Sequence, residues 1–380
     1  MHRAFALTPK ILLGVLTLFI CYQLSWVESN AVVLQASNHT EAVWFQDARK
    51  PQEDQTNNSI LSVDYSKIHN SYGQTQCMPD FNTGLKRLAI TRKESCAKHA
   101  PFDTHENRRV ALATITTGKP TEAYNRAILS QMFHAAVHET SAHILCEQLA
   151  DGAWNKIAFL LNLVMNEMLK PEESRLEWIL WIDRDAIVLD PCRPLSSFLP
   201  PNTSEFENVN LITNNDEIGL NAGVFLFRVN EWSIQLFNTI LAYRYYRPNE
   251  DLILAEQTAM EKVLQEPRWQ GEYVQVPRYW FNAYPAPEDS IEDFEAGNEP
   301  DDLEWFRARK GDFVVHFAGD DGRSDRMVQW LNVVEGMDVW EAGDAKTDIT
   351  TEIRQYWDSY RERNLTQWQV SGDPMDREGL

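Results

Sequence analysis

The stretch that most constrains this chain is EWILWIDRDAIVLDP, Glu177 to Pro191. Trp178 to Ile182 form a continuous apolar run, the pattern of a strand buried on both faces, and the run ends in Asp183 and Asp185. A strand of that kind needs cover on both sides, so the rest of the chain has to supply helices above and below it. The two acids add a chemical demand. Neighbouring carboxylates at the end of a buried strand repel each other unless something positive lies between them. Residues i and i+2 of an extended segment point the same way, about 6–7 Å apart, so both can approach one divalent cation or one bound diphosphate.

From Arg109 onward strand-like and helical segments alternate. RVALATITTG reads as a strand running into a glycine turn, and TEAYNRAILSQMFHAAVHE carries helical spacing through Tyr124, Ala127, Ile128, Met132 and Ala135. A second helix, WNKIAFLLNLVMNEML, is ended by Pro171, so the order up to the quoted strand is β, α, α, β. VNLIT, AGVFLFRV, YVQVP and DFVVHFAG supply further strands, with WSIQLFNTILAYRYY and LAEQTAMEKVLQ as helices between them. The pattern predicts an α/β fold, a mostly parallel sheet flanked by helices, with any ligand at the carboxyl ends of the strands. The acidic segment from Glu288 to Glu304 reads as a solvated loop.

At the N-terminus His2, Arg3 and Lys10 flank an apolar run from Ile11 to Val27. With no convincing cleavage site after it, residues 11–27 read as a signal-anchor transmembrane helix behind a cytosolic tail, 1–10. Residues 28–107, polar and without sustained periodicity, read as a luminal stem. Residues 108–366 read as the catalytic domain, and 367–380 as a disordered tail. Sequons at Asn38, Asn57, Asn202 and Asn364 all lie beyond the span, as a luminal chain requires. Cys21 belongs to the span; Cys77, Cys96, Cys146 and Cys192 are an even number, compatible with disulfides in an oxidising compartment. A net charge of −21 argues against nucleic acid as a partner.

His316 follows the apolar DFVV and precedes FAG, at the end of what reads as a central strand. Two carboxylates and one neutral imidazole suit Mn²⁺ or Zn²⁺, with water and phosphate oxygens completing the shell. A second histidine group, His134 and His138 with His143 nearby, lacks the internal glutamate of a metalloprotease and reads as an ordinary, partly exposed helix.

In chain order, TITTG, WNKIAFLLNLVM, EWILWIDRDAIVLDP, GLNAGVFLFRVNEWS, EQTAM, RYWFNAY and GDFVVHFAG resemble glycosyltransferase family 34. This is the fungal galactosyltransferase and mannan mannosyltransferase family that includes plant xyloglucan xylosyltransferases. The resemblance covers about Arg109 to Trp330 and implies a GT-A type nucleotide-diphospho-sugar transferase fold behind the anchor and stem, in a type II membrane protein of the Golgi. It implies transfer of a hexose, with retention, from UDP-galactose or GDP-mannose to a glycan acceptor. By the same resemblance Asp183, Asp185 and His316 bind Mn²⁺. Thr116 and Thr117 lie against the nucleotide, Asn221 and Gly223 line the donor-sugar pocket, and Glu256 and Gln257 sit beneath the anomeric carbon. One departure stands out: where the family often has a cysteine and then a basic residue for the diphosphate, this chain has Asp320 and Asp321, leaving Arg323 or Arg326 to reach back. Two rivals are a non-catalytic subunit of a glycosyltransferase complex and a metal phosphohydrolase.

Overall fold

The computed structural model describes residues 63–73, 77–102, 108–118, 120–287, 291–319 and 322–364, all within one compact unit, Val43–Leu380. The expected cytosolic tail, anchor, C-terminal tail and the pair Asp320 and Asp321 lie outside the described residues. Among the described residues no helix is long and apolar enough to cross a membrane.

Seven strands form the main sheet: β1 (His69–Tyr72), β2 (Val110–Ile115), β3 (Ser141–Leu145), β4 (Trp178–Ile182), β6 (Leu211–Asp216), β7 (Gly219–Arg228) and β8 (Tyr273–Gln275), in the order β1-β3-β2-β4-β7-β6-β8. Every pairing is parallel except those of β7, which runs antiparallel to both β4 and β6. Three long helices follow the expected ranges: α3 (Glu122–His138), α4 (Trp154–Met168) and α5 (Glu231–Tyr246). Thr121 starts α3 by accepting from the Tyr124 N–H, and Asn230 starts α5 by accepting from that of Ser233. β4 is buried along its whole length between two apolar layers, as its uninterrupted run requires.

Four features depart from the sequence reading. SAHIL forms β3 between the first two long helices, so the order is β, α, β, α, β; His143 inside it masked the apolar pattern. The segment read as stem contains α1 (Tyr65–Ile68), β1 and α2 (Thr83–His99), joined to the body by the disulfides Cys77–Cys146 and Cys96–Cys192. Its helix escapes a periodicity search because only Leu85, Ala89 and Arg92 are buried. Within the acidic segment Ile291–Ala296 forms α7, with Phe294 fully buried. Finally, β9 (Val314–His316) lies outside the main sheet. It pairs antiparallel with β5 (Ala186–Val188), setting His316 opposite Ala186.

Candidate active site

The two aspartates occupy a turn rather than an extended segment. The Ala186 N–H donates to the Asp183 carbonyl at 3.1 Å, and the buried Gln131 of α3 clamps the same turn, donating to the carbonyls of Asp183 (3.2 Å) and Ala186 (3.0 Å). Asp183 is tied to the neighbouring strand by its N–H, which donates to the Gly223 carbonyl at 2.8 Å. His316 enters through the small sheet: its N–H donates to the Ala283 carbonyl and the Phe317 N–H to that of Asp185. Ligand atoms of Asp183, Asp185 and His316 all lie within 4.8 Å of one another. Two carboxylates and an imidazole at that spacing fit a divalent cation, the positive charge the D-x-D pair calls for.

Protein cations meet part of that demand. Lys156, buried in the first turn of α4, places Nζ 3.2 Å from Asp183 Oδ1, 3.2 Å from Glu256 Oε1 and 2.8 Å from the Ala222 carbonyl. Burial works against its charge, but Asp183 and Glu256 outweigh that and hold the ammonium above its ordinary range. Trp181 Nε1 donates to Asp183 Oδ1 at 2.7 Å. Desolvation still lifts the Asp183 carboxyl above its usual range, with Lys156 countering and Asp185 adding to the rise. Asp185 is the opposite case: burial opposes ionisation, yet His316, 3.5 Å away, and Arg323, which donates to Oδ2, hold its carboxyl at about 2. Of the two arginines after the histidine, Arg323 therefore reaches the site, while Arg326 donates to the Ala286 carbonyl.

Glu256 opens α6 (Glu256–Leu264) and is buried. Its Oε1 meets Lys156, and its Oε2 has no hydrogen-bond partner among the described residues. Gln257 accepts from the Ala222 N–H at 3.0 Å, which docks α6 on β7 and commits its oxygen to the backbone. Thr117 joins the site through Arg184, whose guanidinium donates to the Thr117 carbonyl and lies 4.3 Å over the Tyr124 ring. Thr116 donates its N–H to Leu145, and its hydroxyl is buried without a partner among the described residues.

Gly223 serves His316 directly, and Asn221 serves it through Asn282. A Cβ on Gly223 would lie 2.1 Å from His316 Cε1, so glycine here makes room for the imidazole. The Asn221 amide is fully engaged with Asp216, Tyr284, Asn282 and the Gly223 N–H. His134 and His138 belong elsewhere. His134 is fully buried rather than partly exposed, and each bonds through Nε2 to a backbone carbonyl, of Arg193 and Pro191 respectively.

Lys156, Gln131 and Asn282 escape a sequence reading. The WNKIAF segment does place a cation at the start of a helix whose N-terminus must face the carboxyl edge of the sheet. No comparable sequence signal marks Gln131 inside α3.

Residues 196–325 match the model of the galactosyl transferase GMA12/MNN10 family. This bears out the resemblance to glycosyltransferase family 34 and supports a glycosyl-transfer role. The matched span contains Asn221, Gly223, Glu256, Gln257 and His316, and the D-x-D pair precedes it. No curated protein matches the chain. Among solved structures, a glycosyltransferase involved in the glycosylation of the major capsid of PBCV-1 is similar at 17% identity and a TM-score of 0.41. The alignment covers 57% of this chain and 96% of that one.

Proposed function

We propose that this chain is a metal-dependent, retaining α-glycosyltransferase of GT-A type, transferring galactose or mannose from UDP-galactose or GDP-mannose to a glycan acceptor. We further propose that it works in the Golgi lumen, anchored through residues 11–27 with 108–366 as the catalytic region. The observation that carries this reading is the meeting of Asp183, Asp185 and His316 in one cluster, joined through Lys156 to a buried Glu256 whose Oε2 has no hydrogen-bond partner among the described residues.

A bound Mn²⁺ supplies Lewis acidity to the departing diphosphate. Asp183, Asp185 and His316 are the side chains that would hold it. Arg323 pairs with Asp185, and with a cation neutralising that carboxylate its guanidinium would be available to a phosphate oxygen. As the bond from the anomeric carbon to the diphosphate breaks, its electron pair leaves with the diphosphate and the sugar takes on oxocarbenium character. Glu256 offers a carboxylate to that charge, either as stabiliser of a front-side attack or as nucleophile of a double displacement. Lys156, 3.2 Å from its Oε1, orients it.

The test is Mn²⁺-dependent hydrolysis and transfer across a panel of nucleotide sugars, with Asp185→Asn alongside. We expect one hexose donor to turn over and the variant to lose at least about 100-fold in rate. Absence of turnover with every donor would favour the non-catalytic subunit. Release of phosphate from simple phosphoesters would favour the phosphohydrolase.

A further inference from the structure

We propose that Asn282 is a positioning residue that fixes the imidazole tautomer of His316, so that Nε2 is the nitrogen offered to a divalent cation. This rests on the metal-ligand reading of the site.

Backbone groups, whose hydrogen-bonding sense is not in question, set the orientation of the surrounding amides. The carbonyl of Val224 can only accept, so the atom of Asn214 lying 3.0 Å from it is the Nδ2 donor, and the other end of that amide is the oxygen. The N–H of Gly223 can only donate, so the atom of Asn221 2.9 Å away is Oδ1. The other end of Asn221, Nδ2, donates to the Asp216 carboxylate at 2.8 Å. Two carbonyl oxygens, Asn214 Oδ1 and Asn221 Oδ1, therefore face Asn282. Its Nδ2 meets them at 2.7 and 3.0 Å, which uses both of its hydrogens.

That leaves Asn282 Oδ1, an acceptor, 2.8 Å from His316 Nδ1. The ring nitrogen at this contact has to carry hydrogen, and the lone pair of a neutral His316 can only sit on Nε2, the atom 3.5 Å from Asp185 Oδ1. Asn282 and Asn214 are both fully buried, so the whole chain of orientation is carried by protein groups. Gly223 closes off one side of the ring and Tyr284, edge-on at 6.1 Å, packs against it. Metal-binding histidines commonly depend on such a partner on the second nitrogen, and its loss typically costs 10 to 100-fold in affinity, about 1.4–2.7 kcal/mol.

The test uses the metal-free protein labelled with ¹⁵N-histidine, His316 being assigned by difference with His316→Gln. Two-bond ¹⁵N–¹H spectra are expected to show His316 protonated on Nδ1, with or without a second proton on Nε2, which faces the Asp185 carboxylate. In Asn282→Ala we expect a mixture of tautomers and Mn²⁺ binding, followed by electron paramagnetic resonance of the free ion, weakened about 10 to 100-fold. A proton on Nε2 with Nδ1 bare in the wild type would overturn the proposal, as would an Asn282→Ala protein with unchanged tautomer and Mn²⁺ affinity. The wild-type spectrum decides the tautomer even if the variant does not fold. A wild-type protein that is Nδ1-protonated yet binds no Mn²⁺ would sink the metal-site reading while leaving the role of Asn282 standing.

Discussion

Lys156 carries more of the site than any side chain the sequence draws attention to. It is the cation shared by Asp183 and Glu256, each within 3.2 Å, and its own burial is tolerable only because those acids are there. Removing one partner from a buried charge cluster leaves the others uncompensated, which typically costs about 3 kcal/mol or more. Lys156→Met is therefore expected to lose about 3 kcal/mol in urea unfolding with chelator present. Adding Mn²⁺ should restore more stability to the variant than to the wild type, because the cation then takes over the neutralising role. Equal gains in the two proteins would contradict the reading of Lys156 as a charge partner of this cluster. The acids of the candidate site were legible because paired acids after an apolar strand are hard to explain otherwise. Lys156 was not, because a lysine in the first turn of a helix ordinarily means only a solvated end.

At the level of elements, the site depends on how segments are joined as much as on what they are. The long helices and the central strand could be read from periodicity, since each has a wide apolar face or run to bury. The three-residue β5 could not, and β9, legible as a strand in DFVVHFAG, was legible only as part of the main sheet; the pairing of the two sets His316 beside the aspartates. A strand that short has no period of its own, so its place is decided by its partner. The join before α6 is another such case. Ala255 has φ 49° and ψ −119°, a conformation that costs an L-residue about 1–3 kcal/mol, and it immediately precedes Glu256. That geometry fixes the angle at which Glu256 enters the site. Ala255→Gly is expected to raise the unfolding free energy by about 1 kcal/mol in urea titrations, the relief exceeding the extra chain entropy of glycine. The same change loosens the approach of Glu256, so transfer should slow while Mn²⁺ affinity holds. A variant with lowered stability would mean that the backbone around Ala255 carries no strain.

For the whole molecule, charge at neutral pH is strongly negative, and the sequence alone was enough to set nucleic acid aside. How stability responds to acid is instead decided by buried histidines that the sequence leaves indistinguishable from exposed ones. Burial holds His134 and His143 at about 4 and His138 well below its ordinary value, all three neutral in the native state. In the unfolded chain each takes up a proton near pH 6.5. The stability they allow is therefore complete above 6.5 and is lost as pH falls from there toward 4, by about 1.4 kcal/mol per unit for each group. Two acids act in the opposite sense. Desolvation raises Asp190 to about 6 and Asp183 above its usual range, so the folded protein binds their protons first and gains stability over part of the same window. Three histidines against two acids leave a net loss of stability between pH 7 and pH 5. Urea unfolding of the metal-free protein at those two values measures it directly, and a flat or rising stability toward pH 5 would show that the histidines are not held neutral in the folded state.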